Sequence, residues 1–277
     1  MTTCETAPRH RGPVRAVVLD WAGTAVDYGC MGPASVFVDV FRESGVEVSE
    51  ADARRFMGLA KKDHLRRMFA LPGVAAAWRA AHGRPPDEND VNALYARTEP
   101  LMISAIARHA DPIPGLAELV AGLRARGIRI GSTTGYTRPM MEALLPAARR
   151  CGYEPDAVVT PSEVPAGRPF PWMCLLNAIR LGTHPLSAMV KIGDTVSDVH
   201  EGLNAGMWTV GLTRSGNLLG LTAGDTERLP PAELAERLEA ARRKLTDAGA
   251  HYTAEGIWAV LPIIDEVSER LAAGERP

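Results

Sequence analysis

The feature that most constrains the fold is a regular alternation of strand-like and helix-like segments in the second half of the chain. Apolar runs of strand length occur at Ile128–Thr133, Ala157–Thr160, Met189–Asp194 and Trp208–Leu212, with helical periodicity between them. This order is typical of successive βαβ units, in which parallel strands are covered by helices. An earlier run, Val14–Asp20, has the same apolar character. We therefore predict an α/β fold with a doubly wound parallel sheet.

Between the first strand and the alternating region lies a long stretch with almost no strand signal. Its apolar residues recur at helical spacing, Ser49 is a plausible helix N-cap, and two lysines begin a predicted helix at Lys61–Phe69. We predict an all-helical cap inserted into a Rossmann-like core. The predicted divisions are a core of residues 14–28 and 108–277, a helical cap of residues 29–107, and a disordered N-terminal tail of residues 1–13.

Composition excludes several classes of partner. The formal net charge of the 277 residues is −2, so there is no basic excess to bind nucleic acid or an anionic membrane. No apolar run approaches the length of a membrane span, and the N-terminus lacks the apolar segment of a signal peptide. The four cysteines lack metal-ligand spacing, which favours reduced thiols and a cytoplasmic protein: Cys4, Cys30, Cys151 and Cys174.

Polar residues follow three of the predicted strands, at Asp20, Thr133 and Asp194, and Asp198 comes four residues after Asp194. Because the carboxyl ends of parallel strands share one edge of a sheet, these side chains are expected to converge. Clustered carboxylates suit Mg²⁺, which we predict as the cofactor. Taken singly, such residues also have a purely structural interpretation. Asp198 could do no more than complement a helix N-terminus, and Thr133 could do no more than end a strand.

Together these segments resemble the haloacid dehalogenase superfamily. Its phosphotransferases use the first Asp as a nucleophile that becomes an aspartyl-phosphate, and the resemblance assigns that role to Asp20. It makes Thr133 the phosphate-binding hydroxyl, and Asp194 and Asp198 the acids of the metal site.

The superfamily also has a cation between its second and fourth motifs. Arg168 and Lys191 are the two candidates in this sequence. A cation beside Asp20 would lower the pKa of that carboxyl and neutralise phosphoryl oxygens. We choose Arg168, because Lys191 lies within a buried-looking strand and is expected to point away from the ligand edge.

Position 22 departs from the ordinary phosphatases of this superfamily. They carry an Asp two residues after the nucleophile, as a general acid and base, whereas this chain has Ala22. Alanine offers only its backbone carbonyl, which could bind Mg²⁺. This departure, the flanking segment 20–30 and the cap segment Met57–His64 resemble the phosphonatase family, and the resemblance extends over nearly the whole chain.

The phosphonatase resemblance implies hydrolysis of the C–P bond of phosphonoacetaldehyde, a small-molecule phosphonate, to acetaldehyde and phosphate. A carbanion is a very poor leaving group, and a lysine imine would accept the electrons of the broken bond. The resemblance places that lysine at Lys61, although the residues alone leave Lys62 as an alternative. It makes His64 a proton shuttle. Three further residues are expected to border the substrate: Cys30, Met57 and Tyr136.

The resemblance also implies a homodimer formed through the cap. Two other functions remain as alternatives. One is a phosphomonoesterase or phosphomutase of the same superfamily acting on a C–O–P substrate, which Ala22 disfavours. The other is a catalytically silent regulator that binds metal or phosphate, which the joint presence of the polar residues disfavours.

Overall fold

The computed structural model describes residues 10–277, so residues 1–9 of the predicted N-terminal tail lie outside the described part. Its centre is a six-stranded sheet with the order β3-β2-β1-β4-β5-β6. Every pairing is parallel. The strands are β1 (Ala16–Leu19), β2 (Arg129–Thr133), β3 (Ala157–Val159), β4 (Met189–Gly193), β5 (Trp208–Leu212) and β6 (Tyr252–Ala254). The predicted α/β class with a doubly wound parallel sheet is confirmed.

Between β1 and β2 the chain is helical. The helices there are α1 (Met31–Arg42), α2 (Glu50–Arg54), α3 (Lys61–Phe69), α4 (Pro72–His82), α5 (Glu88–Arg108) and α6 (Leu116–Ala125). Helix α5 packs against α1 and α3, whereas α6 packs against the sheet and the C-terminal helix. Ser49 accepts a hydrogen bond from the backbone N–H of Asp52 at 3.1 Å, which confirms it as the N-cap of α2. We call residues 29–107 the cap, and their separation from the core as a domain stays a prediction.

The later helices connect the remaining strands and close the C-terminus. They are α7 (Arg138–Arg150), α8 (Trp172–Arg180), α9 (Val196–Asn204), α10 (Ala223–Arg228), α11 (Pro231–Asp247) and α12 (Val260–Ala272). Short 3₁₀ helices occur at Pro161–Glu163, Leu186–Ala188 and Ile257–Ala259. Among the helices of residues 10–277, none combines the length and hydropathy needed to cross a bilayer.

The order of the strands sets the position of the site. Strands β2 and β3 lie on one side of β1, and β4, β5 and β6 lie on the other. The winding direction therefore reverses between β1 and β4, and a crevice opens there at the carboxyl ends of the strands. One apolar cluster continues from the sheet into the cap, through Leu19, Phe37 and Leu65. This shared apolar cluster holds the cap over the crevice.

Candidate active site

Three carboxylates converge at the crevice. Asp20 follows β1, Asp194 follows the neighbouring β4, and Asp198 lies in the first turn of α9. One oxygen from each lies within 4.8 Å of the others, and all three side chains are buried. Asp198 also forms a capping box with Thr195, so it complements the helix N-terminus as well as joining the cluster.

Arg168 is the cation beside Asp20. Its Nη2 donates to Asp20 Oδ1 at 2.7 Å, and its Nη1 lies 3.1 Å from Asp198 Oδ1. Its Nε donates to Glu201 Oε2 at 2.9 Å. The guanidinium is therefore fixed by three carboxylates in a site without solvent access, where a charge needs such partners. The chosen residue lies where the sequence analysis placed it.

Lys191 belongs to the same cluster, so the expectation that it points away from this edge is wrong. Its Nζ lies 2.8 Å from Asp198 Oδ1 and donates to Thr133 Oγ1 at 3.0 Å. The stem of the side chain packs beneath α9 near Gly202. From there its methylene groups carry the ammonium to the end of the strand, as long cationic side chains do elsewhere. The cluster therefore contains two cations.

The hydroxyl of Thr133 is not placed to face a substrate, which corrects the sequence prediction for this residue. It donates to Glu201 Oε2 at 2.9 Å and accepts from Arg168 and Lys191, and the side chain is fully buried. The next residue, Thr134, lines the catalytic cavity instead. Successive residues at the end of a strand project in different directions, so a shift of one position changes the side chain that reaches the cavity.

Asp194 has the environment of a metal ligand. In the described chain its hydrogen-bond donors are neutral: the N–H of Asn217 at 2.7 Å, the Thr24 hydroxyl at 3.2 Å and the Cys30 thiol at 3.4 Å. Burial, and then the charges of Asp20 and Asp198, raise the pKa of Asp194 well above its usual value. A divalent cation would relieve this repulsion.

The donor set at this point suits such an ion. The carboxylates of Asp20 and Asp194 and the backbone carbonyl of Ala22 are hard oxygen ligands of the kind that Mg²⁺ prefers. Asp198 is less available, since one of its oxygens contacts Arg168 and Lys191 and the other accepts from Thr195. The acid cluster therefore fits a metal ion bound mainly through Asp20 and Asp194.

A small cavity lies between the cluster and the cap. Its volume of about 20 Å³ has room for about one or two water molecules. Seven of the predicted site residues line it: Asp20, Ala22, Cys30, Met57, Lys61, Tyr136 and Arg168. Thr134, Gly135 and Thr195 also line it from the core. The cap and the core thus each contribute polar side chains to one small cavity.

Lys61 begins α3 and brings an amine into this cavity. Its Nζ lies 4.7 Å from the ring centroid of Tyr136 and 5.7 Å from that of Phe37. The side chain is buried, and this desolvation lowers its pKa to about 8. Lys62, by contrast, lies partly exposed outside the cavity, with its Nζ 3.6 Å from Glu88. The geometry therefore separates two lysines that the residues alone left equivalent.

His64 is fully buried and lies beside the cavity rather than in its lining. Its ring stacks on Phe37 at 3.9 Å between centroids, and Nε2 lies 2.8 Å from the carbonyl oxygen of Ala53. Because a carbonyl only accepts, Nε2 carries the proton and Nδ1 is the basic nitrogen. Nδ1 has no partner within residues 10–277. Burial and the charge of Lys61 hold the pKa of His64 well below its usual value. Its shuttle role stays a prediction.

Sequence reasoning missed Glu201 and Asn217. Glu201 is fully buried and lies three residues after Asp198, on the same face of α9, so helical spacing from a predicted site acid is the signal that identifies it. Asn217 lies in an irregular segment and contacts Asp194 through its backbone. No side-chain pattern could have shown that contact.

Replacing Glu201 with glutamine is expected to lower the free energy of unfolding by about 1–3 kcal/mol, because buried Arg168 and Lys191 lose a charged partner while the shape is kept. Urea denaturation measures this difference. The control is Glu236→Gln at an exposed position of α11, which should change stability by less than about 0.5 kcal/mol. Equal stabilities for the two variants would contradict the charge network described above.

Comparison with known proteins agrees with this geometry. Residues 14–206 match the family model described as haloacid dehalogenase-like hydrolase. A phosphonoacetaldehyde hydrolase of Nitratidesulfovibrio vulgaris is 59% identical over 268 residues, which are 97% of this chain and 96% of that protein. One from Bacillus cereus is 46% identical over 257 residues, covering 93% of this chain and 97% of that protein.

A similar protein is also found among solved structures. The crystal structure of a phosphonoacetaldehyde hydrolase-like protein from Oleispira antarctica superposes with a TM-score of 0.96 at 38% identity, covering 99% of both chains. The family resemblance seen in the sequence is therefore confirmed. The chain belongs to the haloacid dehalogenase-like hydrolases and, within them, to the group whose curated members are named phosphonoacetaldehyde hydrolase.

Proposed function

We propose that this protein hydrolyses phosphonoacetaldehyde to acetaldehyde and phosphate by cleaving its C–P bond. The observation that carries the proposal is the pairing of Lys61 with Asp20 in one small cavity. One is an amine with a pKa of about 8, and the other a carboxylate held by Arg168. The names of the relatives at 46% and 59% identity support the same substrate.

Lys61 acts first in the proposed sequence. Its neutral amine attacks the aldehyde carbon, and loss of water leaves an iminium ion joined to Nζ. The carboxylate of Asp20 then attacks phosphorus as the C–P bond breaks. The electron pair of that bond moves toward the iminium nitrogen and forms an enamine, so no free carbanion is expelled. This route needs no acid at position 22, where the chain has Ala22.

Two hydrolytic steps complete the turnover. Water attacks the phosphorus of the aspartyl-phosphate and releases phosphate from Asp20. The enamine takes a proton on carbon and becomes an iminium ion, whose hydrolysis releases acetaldehyde and frees Lys61. His64 is proposed to relay these protons, because its basic Nδ1 lies on the helical face of Lys61, one turn along α3. We propose that Arg168 and the hydroxyl of Thr134 hold the phosphoryl oxygens. Thr134 thus takes the role that the sequence analysis gave to Thr133.

The proposed cofactor is Mg²⁺, held by Asp20, Asp194 and the carbonyl of Ala22, with Asp198 close behind them. When bound, the ion would screen the repulsion between the Asp20 carboxylate and the anionic phosphoryl group. Asp198 holds Arg168 and Lys191 in place beside it.

A homodimer formed through the cap is part of the same proposal, and sedimentation of the purified protein tests it.

The pKa of Lys61 gives an expected pH dependence. Below pH 8 most of Lys61 is protonated, and an ammonium cannot attack the aldehyde. Since raising the pH increases the neutral fraction, kcat/KM for acetaldehyde release should rise by about tenfold per pH unit up to about pH 7 and level off above about pH 8. Initial rates between about pH 6 and about pH 9 measure this profile. A rate that stays flat or falls over the same range would contradict the assignment.

Product analysis tests the proposal directly. The purified protein is incubated with phosphonoacetaldehyde and Mg²⁺, and acetaldehyde and phosphate are measured in the same samples. Equal amounts of the two products are expected. If phosphate appears only from phosphate esters, the protein is a phosphomonoesterase or phosphomutase, and Ala22 then needs another explanation. If neither substrate releases phosphate, a non-catalytic regulator is the better interpretation.

A further inference from the structure

A basic groove lies beside the catalytic cavity. Helices α2 and α3 of the cap form one wall, and α9 and α11 of the core form the other. Its volume is about 480 Å³, and its lining includes the cations Arg54, Arg55, Arg67 and Lys244. No Asp or Glu lines it in the described chain. This concentration of one charge is unexpected in a protein whose net charge is −2.

Three of these cations are not neutralised by neighbouring acids. Arg54 forms an ion pair with Glu50 at 2.8 Å. Arg55, Arg67 and Lys244 are exposed and take part in none of the ion pairs found in residues 10–277. Unpaired cations facing each other across a concave surface raise the local concentration of anions. The groove therefore has the electrostatic character of an anion-binding surface.

The groove and the catalytic cavity share a boundary. Met57 of the cap and Thr195 of the core line both spaces. Gly58 closes the boundary, since a Cβ added there would lie 2.4 Å from the Thr195 hydroxyl, and its φ of +92° favours glycine. The cap loop thus rests directly on the core at this point. A small separation of Met57 and Gly58 from Thr195 would join the groove to the cavity.

The size of the cavity requires such a separation. A volume of about 20 Å³, which has room for only about one or two water molecules, is too small to hold phosphonoacetaldehyde. Substrate must therefore enter, and phosphate leave, when the cap moves from the core. Both are multiply charged anions, so a route lined by unpaired cations would favour their passage over that of neutral molecules.

We propose that this groove is the access route for the phosphonate substrate and the phosphate product, and that Arg55, Arg67 and Lys244 attract these anions to it. The inference rests on the proposed function for its substrate. It assigns the three cations a part in attracting the substrate from solution, and this part is distinct from the chemistry at Asp20 and Lys61.

The test compares two triple variants that remove the same charge. In the groove variant Arg55, Arg67 and Lys244 become serine, and in the control variant the exposed residues Arg79, Arg150 and Arg276 become serine. At an ionic strength of about 0.02 M, kcat/KM of the groove variant should be about tenfold below that of the unchanged protein. At about 0.5 M, where salt screens the groove, the difference should shrink to less than about twofold. The control variant should match the unchanged protein at both.

The two salt conditions distinguish weaker capture of the anionic substrate from structural damage to the enzyme. A groove variant that matches the control at low salt would overturn the proposal, as would a deficit that persists undiminished at high salt. If the unchanged protein releases no acetaldehyde, the proposed function fails, and inorganic phosphate then serves as the probe in calorimetry with Mg²⁺. Weaker phosphate binding at low salt by the groove variant alone would uphold the groove as an anion site. Equal binding by both variants would overturn it.

Discussion

Replacing Lys61 with arginine is expected to lower kcat for acetaldehyde release by at least about 1,000-fold, since covalent catalysis by the amine is lost. Arginine keeps the positive charge and much of the length of the side chain. Its guanidinium stays protonated at every accessible pH, so it cannot form an imine. The loss should therefore persist where Lys61 would be neutral, above a pH of about 8. Coupled assay of acetaldehyde measures it.

The neighbouring lysine provides the control. Lys62→Arg makes the same chemical change one residue away, at a partly exposed side chain near Glu88. This variant should retain kcat within about twofold, because a surface substitution away from the cavity changes little. Loss of activity in Lys62→Arg together with full activity in Lys61→Arg would show that the wrong lysine has been assigned.

Replacing Asp20 with asparagine is expected to remove turnover to a similar extent, by at least about 1,000-fold in kcat. The amide is close to isosteric but is neutral and cannot form an acyl-phosphate. Because Lys61 is unchanged, the variant should still form the imine with the substrate. Phosphate release and borohydride labelling, measured on the same preparation, distinguish these two steps.

The Asp20→Asn protein should remain folded, which makes the measurement interpretable. Burial raises the pKa of Asp20 by more than the neighbouring Arg168 lowers it, so the folded state holds the ionised carboxylate less favourably than the unfolded state does. A neutral side chain therefore costs little, and Arg168 keeps Asp198 and Glu201 as partners. We expect the free energy of unfolding to change by less than about 1 kcal/mol. A variant that fails to label with borohydride while remaining folded would contradict the proposed order of steps.

Most of the architecture was predictable because its signals are local. The helix Lys61–Phe69 has the predicted bounds, and Ser49 caps α2 as its side chain suggested. Strands β1 to β5 are apolar runs flanked by glycine or polar residues, so their order in the chain was visible, whereas the three-residue β6 has no such run. The ends of those strands then identified the side chains that meet at the crevice, since parallel strands share that edge.

The errors in the site prediction arise where orientation depends on tertiary packing. Thr133 and Thr134 are the same residue type, and only the twist at the end of β2 decides which reaches the cavity. Lys191 lies in a buried strand, yet its flexible stem brings the ammonium to Asp198. Neither outcome has a signature in residue type or spacing. Lys61 and Lys62 pose the same problem, and the packing of α3 against α5 within the cap decides it.

The most direct test of the central claim is to locate the covalent adduct. The protein is incubated with phosphonoacetaldehyde and Mg²⁺, reduced with borohydride, digested, and analysed by peptide mass spectrometry. We expect a stable secondary amine on Lys61, retained in Asp20→Asn with its phosphonate still attached, and absent in Lys61→Arg. Full turnover with no adduct on Lys61, or with the adduct on Lys62 alone, would contradict the imine mechanism on which the proposed function rests.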